Sequence, residues 1–139
     1  MSKQTINCRW KSGMAFESEI SGHKLIMDAV QKVGGDDEGP RPKPLVLASL
    51  AGCTGMDVVS ILRKMKQPLT YFNIVVDAEA TEEHPQTYST MKIIYEFSTS
   101  DNLDRQKVEK AVNLSQERYC GVSALLRKAI PLEYEIRYI

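Results

Sequence analysis

The sequence predicts an α+β fold with the element order βββ-α-ββ-α-β. Three observations carry this. Apolar and polar residues alternate with period 2 over 4–30, 69–80, 88–98 and 132–138. Two other stretches, 44–67 and one starting near Ser100, repeat their apolar residues at steps of three and four, the period of a helix. The strands come in runs with helices between the runs, which favours antiparallel pairing over a βαβ pattern.

The strands at the start are set by their punctuation. Ile6, Cys8 and Trp10 alternate with Asn7 and Arg9, and Ser12-Gly13 turns the chain. Met14, Phe16, Ser18 and Ile20 alternate with Ala15, Glu17 and Glu19, and Ser21-Gly22 turns it again before His23–Val30. Residues 34–44, GGDDEGPRPKP, hold three glycines and three prolines and read as a mobile loop rather than a domain linker. Pro44 suits a first helical turn, where its missing N–H has no partner to lose. Leu47, Leu50, Ala51, Thr54, Val58, Ile61, Leu62 and Met65 then form one apolar face, and Gln67-Pro68 stops the helix.

In the next pair of strands Phe72, Ile74, Val76 and Ala78 face one way, as do Met91, Ile93, Tyr95 and Phe97, with Thr81–Gln86 as the connection. The second helix is expected to start near Ser100 or Asp101 as its cap, with Asp104 in the favourable first turn. Val108, Ala111, Val112, Ser115 and Tyr119 mark its buried side. Gly121 loosens it after Cys120, 122–129 form a further short helical piece, and Pro131 ends that piece. Leu132, Tyr134, Ile136 and Tyr138 then alternate with charged residues in the last strand.

Bulk composition narrows the function. The chain has 139 residues, 42% of them hydrophobic, which suits a single domain over 1–139 with a real core. Its 18 basic and 18 acidic groups balance, and no basic stripe is present, so nothing draws it to nucleic acid. The segment 45–62 is long and apolar enough to raise the question of a membrane span. Asp57 inside such a span would cost about 2.5–3.5 kcal/mol near the bilayer centre, so a buried helix of a non-membrane protein is expected. Cys8, Cys53 and Cys120 are too few and too scattered for a disulfide framework, which fits an intracellular, reducing compartment, the cytoplasm. No spacing suggests a zinc site. His23 and His84 read as turn and surface residues.

The centre of the first helix reads LASLAGCTGMDVVSILRKM. Gly52 and Gly55 each cost a helix roughly 1 kcal/mol relative to alanine, so a packing gain is expected in return. With Ala48 they form a smooth strip that lets another helix or a ligand come close to the backbone. Cys53, beside that strip, is either a small buried hydrophobe or a nucleophile. Cys8, on a strand beside Trp10, reads as a buried hydrophobe. Asp57 either caps or bridges to a basic group. Cys120, in RYCGVS, also lies in an interrupted helix. If it meets Cys53, oxidation of one sulfur to sulfenic acid would be followed by condensation to a disulfide. That requires Cα atoms no more than about 7 Å apart.

The stretches LASLAGCTGMDVVSILRKM and LSQERYCGVSALLRKAIPLEYEI resemble the two cysteine motifs of the OsmC/Ohr family, the osmotically inducible and organic hydroperoxide resistance proteins. MAFESEISGHKLIMDA and EEHPQTYSTMKIIYEF extend the resemblance over nearly the whole chain. It implies an OsmC-like α+β fold in which two subunits intertwine as a homodimer around two central cysteine-bearing helices. It implies thiol-dependent reduction of organic hydroperoxides and hydrogen peroxide, with Cys53 as the peroxidatic and Cys120 as the resolving cysteine. No metal or organic cofactor is implied, and a dithiol supplies the electrons. Arg41 is the nearest match to the family's peroxide-binding arginine, with Asp36, Asp37 or Glu38 available to orient it. One position departs from the pattern. Where family peroxidases carry a glutamate in a Pro-x-Glu-Leu stretch, this chain has Pro42-Lys43-Pro44-Leu45. Two other readings follow from that departure: a dimer that binds a small apolar molecule without turnover, and a redox sensor or thiol carrier.

Overall fold

Ser21 and Gly22 both take positive φ, 53° and 80°, the backbone that a two-residue hairpin turn demands. They join β2 (Ala15–Ile20) to β3 (His23–Met27). β1 (Asn7–Ser12) pairs antiparallel with β2, and the Trp10 indole N–H closes that hairpin on the Gly13 carbonyl at 2.8 Å. In the computed structural model, which describes residues 1–139, these strands form a three-stranded sheet in the order β1-β2-β3. They belong to the first of two compact units, Met1–Val46; the second is Leu47–Ile139.

The loop after β3 is held in place, against the expectation of a mobile one. Its anchor is Asp28, buried at 3% exposure. One carboxylate oxygen accepts from the Ala29 N–H at 2.7 Å, and the other from Asp36 and Glu38 N–H at 3.2 and 3.1 Å. These backbone donors, Ala29 first, hold the carboxyl below the usual carboxylate range, and Arg41 adds to the effect. The face of the sheet that carries Cys8, Trp10, Phe16 and Met27 remains largely open. Trp10 is 61% and Phe16 41% exposed. Cys8 is therefore exposed, not the buried hydrophobe expected. The reason is its place on β1, an edge strand exposed at every residue, in a sheet too small to cover its own apolar side.

The second unit is built on β5 (Tyr88–Phe97), flanked by β4 (Phe72–Ala80) and β6 (Leu132–Tyr138). β4 pairs antiparallel with β5 as expected. β6 pairs parallel, which the strand pattern did not reveal. The crossover between them carries α2 (Arg105–Leu114) and α3 (Gly121–Arg127), the kind of connection a parallel pair needs. Met91, Ile93, Tyr95 and Phe97 of β5 meet Leu50, Val58 and Leu62 of α1 (Pro44–Lys64) and Val108, Ala111 and Val112 of α2 in one core. Phe72 stacks on Phe97 with ring centroids 4.6 Å apart.

By length and composition α1 could cross a bilayer. Here its Leu50, Thr54, Val58 and Leu62 are buried in the protein core, the arrangement of a core helix. It ends where Gln67 and Lys66 N–H turn back to the Leu62 and Arg63 carbonyls with Lys66 at φ 59°, a left-handed cap just before Pro68.

The second helix starts later than expected. Ser98 and Thr99–Asp101 form a short 3-10 turn, and Asp104 itself caps α2 by accepting from Gln106 and Lys107 N–H. Asp101 is freed for another task. It binds the hydroxyl of Thr70 and the N–H groups of Thr70 and Tyr71, tying the start of β4 to the turn before α2. The Thr70 contacts lead in holding this carboxyl below its usual range. A depressed carboxyl stabilises the fold at neutral pH and loses that contribution as the pH falls through its lowered value. Asp101→Asn is therefore expected to be less stable than wild type at neutral pH and to lose less stability on acidification. Urea midpoints measured from neutral to acid pH check this.

Candidate thiol site

Cys53 lies in the third turn of α1 and is partly exposed; Cys120 is buried at 3% exposure. The two side chains lie close enough for Cys53 to act on the Cys120 thiol, although 67 positions separate them (120 − 53). What turns Cys120 inward is a π turn. Over Ser115–Tyr119 the helix widens, and the Cys120 N–H reaches back to the Ser115 carbonyl at 2.8 Å. The extra residue shifts the helical phase. Tyr119, expected on the buried side, is 56% exposed, and the next side chain turns into the core.

Cys120 is also the cap of α3. Its sulfur accepts from the Ser123 hydroxyl at 3.1 Å and the Ser123 N–H at 3.4 Å. Burial pushes the Cys120 thiol up, these two donors pull it down, and the neighbouring Cys53 adds to the rise. Removing the hydroxyl in Ser123→Ala is expected to raise the thiol pKa further. The pH dependence of Cys120 alkylation, measured in a Cys53→Ser background, reads this directly.

The glycines divide their work. A Cβ on Gly55 would sit 3.0 Å from Ile74 Cδ1, so α1 packs tightly on β4 here and any side chain would make the Ile74 tip shift. Gly52 meets nothing within 4 Å. It lines an apolar groove of about 600 Å³ between α1 and β4, with Met56, Val59, Arg63 and Phe72 among its walls. Cys53 is outside that lining and turns toward Cys120.

Beside the thiols runs a polar network with a buried middle, Thr54, Tyr95, Ser115 and Gln116, and ends nearer the surface at Asp57 and Arg127. Thr54 lies 2.6 Å from the Tyr95 hydroxyl and 2.7 Å from the Ser115 hydroxyl. Ser115 donates to Asp57 at 2.9 Å, and the Gln116 amide donates to Tyr95 at 2.7 Å and Thr54 at 3.2 Å. Arg127 donates to the Gln116 side-chain and backbone oxygens at 2.8 and 3.2 Å. Burial pushes the Tyr95 phenol up to about 12, so it remains a proton donor at neutral pH. Asp57, open to cap or bridge on sequence grounds, here accepts from a serine. No buried side-chain oxygen or nitrogen lacks a partner.

Arg41 belongs to the first unit. Its guanidinium holds Asp37 at 2.6 Å and the Gly39 carbonyl at 2.7 Å, so Asp37 is the acidic residue of that loop that orients it. Nowhere do three His, Cys, Asp or Glu side chains converge as metal ligands would.

Together these features define a small α+β protein with two neighbouring thiols, one partly exposed and one buried. The chain belongs to the OsmC-like protein family, whose model matches residues 35–135. It is 34% identical over 131 residues to Protein YhfA of Escherichia coli K12, covering 92% of this chain and 94% of that one. The crystal structure of a hypothetical protein from Aquifex aeolicus VF5 superposes with a TM-score of 0.82 at 27% identity, covering 100% and 99% of the two chains. An organic hydroperoxide resistance protein OsmC from Legionella pneumophila superposes with a TM-score of 0.68 at 14% identity, covering 98% and 97%, and so shares the fold.

Proposed function

We propose that the protein reduces organic hydroperoxides, and hydrogen peroxide, through Cys53 and Cys120. The observation that carries this reading is the pairing of a partly exposed thiol with a buried one near enough to feel it. The sulfur that meets the peroxide needs access, and the sulfur that resolves the product needs only proximity. The Cys53 thiolate attacks the peroxide: an S–O bond forms, the O–O bond breaks, and the departing alkoxide takes a proton to leave as the alcohol. The Cys120 thiol gives up its proton and its sulfur attacks the sulfenic sulfur; the S–S bond forms, the S–O bond breaks, and the departing hydroxide takes that proton to leave as water. A dithiol restores both thiols by exchange and is itself oxidised. A reducing cytoplasm supplies such a dithiol.

The same reading assigns a homodimer. The open apolar face of the first sheet supports it, as does Met56, 76% exposed on the groove side of α1. A patch of this kind on a soluble chain marks an interaction surface. Sedimentation at micromolar concentration tests it, and a monomer there would count against it.

The apolar groove favours a second reading, a dimer that binds a small apolar molecule without turnover. Counting free thiols after one equivalent of cumene hydroperoxide separates the readings. A peroxidase loses the Cys53 and Cys120 thiols fast and regains them with dithiothreitol through repeated cycles. A binding protein loses neither. A sensor or thiol carrier oxidises once without sustained turnover.

A further inference from the structure

The network beside the thiols has a fixed sense. Arg127 can only donate, and at the other end Asp57 accepts from Ser115. Arg127 thus fixes the Gln116 side-chain oxygen toward itself, which aims the amide NH2 at Tyr95. Ser115 must give its proton to Asp57, so it must receive one from Thr54; Thr54 must therefore receive one from Tyr95. Every hydroxyl donates once, in one order, from a cationic end to an anionic end. Bonds whose ends are charged are stronger than neutral ones, and here the charged ends reach the surface while Thr54, Tyr95, Ser115 and Gln116 between them are buried, where an unmade bond is costly.

Its members come from the segments that carry the sulfurs. Thr54 follows Cys53 directly, Ser115 and Gln116 form the start of the π turn that ends at Cys120, and Arg127 ends the helix that Cys120 caps. Tyr95 joins them from β5, the central strand. We propose that this charge-terminated hydrogen-bond chain holds the two cysteine-bearing segments in register, so that Thr54, Tyr95 and Ser115 are positioning residues for closure of the Cys53–Cys120 disulfide. The proposal rests on the reading that these sulfurs pair, but not on what oxidises them.

The test is the equilibrium between the two thiols and oxidised glutathione, in which the thiols become a disulfide and glutathione disulfide becomes two glutathione thiols. A network that merely stabilises the fold supports the reduced and oxidised proteins equally, and cutting it leaves this equilibrium unmoved. A positioning network favours the joined sulfurs. Thr54→Val, which keeps the shape and deletes the hydroxyl, is expected to lower the effective concentration of the pair at least about tenfold, a rise in potential of about 30 mV. Thr54→Ser is expected to restore the wild-type value. Tyr95→Phe cuts the same chain from a strand that carries no cysteine and should shift the equilibrium in the same direction; it decides the matter if Thr54→Val does not fold. Wild-type equilibrium in folded Thr54→Val or Tyr95→Phe, with equal loss of stability in both redox forms, overturns the proposal. Failure of the wild-type pair to oxidise at all overturns both it and the pairing it rests on. Normal pairing without hydroperoxide turnover removes only the peroxidase reading.

Discussion

Cys53→Ser is expected to bring dithiol-dependent consumption of cumene hydroperoxide down by more than about 10³-fold, since a serine hydroxyl at neutral pH does not replace a thiolate nucleophile. Cys120→Ser should behave differently. Its Cys53 retains access to peroxide, so the first oxidation proceeds and a sulfenic acid builds up that dimedone can label. Steady-state turnover then depends on how quickly the external thiol reaches Cys53. The asymmetry follows from the exposure of the two sulfurs, one partly open and one at 3%. Equal loss of the first oxidation in both variants would mean that the roles are not divided in this way. Consumption measured over several cycles, together with mass spectrometry of the dimedone adduct, checks both halves.

Phe97→Ala is expected to destabilise the protein by about 3–5 kcal/mol. Phe97 is fully buried, stacks on Phe72 at 4.6 Å with the rings 5° from parallel, and meets Tyr138 at 6.1 Å. It therefore joins all three strands of the second sheet at one end of β5. An alanine there leaves a hole that the flanking strands cannot close without breaking their register. Such a loss is a large share of the roughly 5–15 kcal/mol available to a domain. The urea midpoint should fall with little change in the slope of the transition, because the surface exposed on unfolding is nearly the same.

What the sequence made legible follows from what periodicity can encode. The strands of both sheets and the long first helix stand out because their apolar residues recur at the spacing of their element. The alternation Met91, Ile93, Tyr95, Phe97 identifies the inner face of β5 correctly. Pairing direction is not encoded in alternation, so β6 reads the same whether parallel or antiparallel. The start of α2 was displaced because Ser100, Asp101 and Asp104 are all capable caps, and only tertiary contact with Thr70 takes Asp101 out of contention. Tyr119 left the buried side because a π turn inserts one residue into a 3.6-residue period, and no residue type announces it. For the polar network a signal was present: Thr54 and Ser115 stand alone as polar residues on otherwise apolar helix faces, and Tyr95 does so on a strand. Buried hydroxyls in such stripes need partners. Gln116 and Arg127 gave no comparable sign. Cys8 misled because alternation marks an apolar face without saying whether anything covers it.

The central claim is that Cys53 and Cys120 act as one unit. Treating the reduced protein with one equivalent of cumene hydroperoxide, blocking the remaining thiols and mapping the unreduced peptides by mass spectrometry tests it most directly. The account predicts one intrachain disulfide joining the peptides of Cys53 and Cys120, with Cys8 alkylated. A Cys53 oxidised to sulfinic acid beside a free Cys120, or a protein with all its thiols intact, would contradict it.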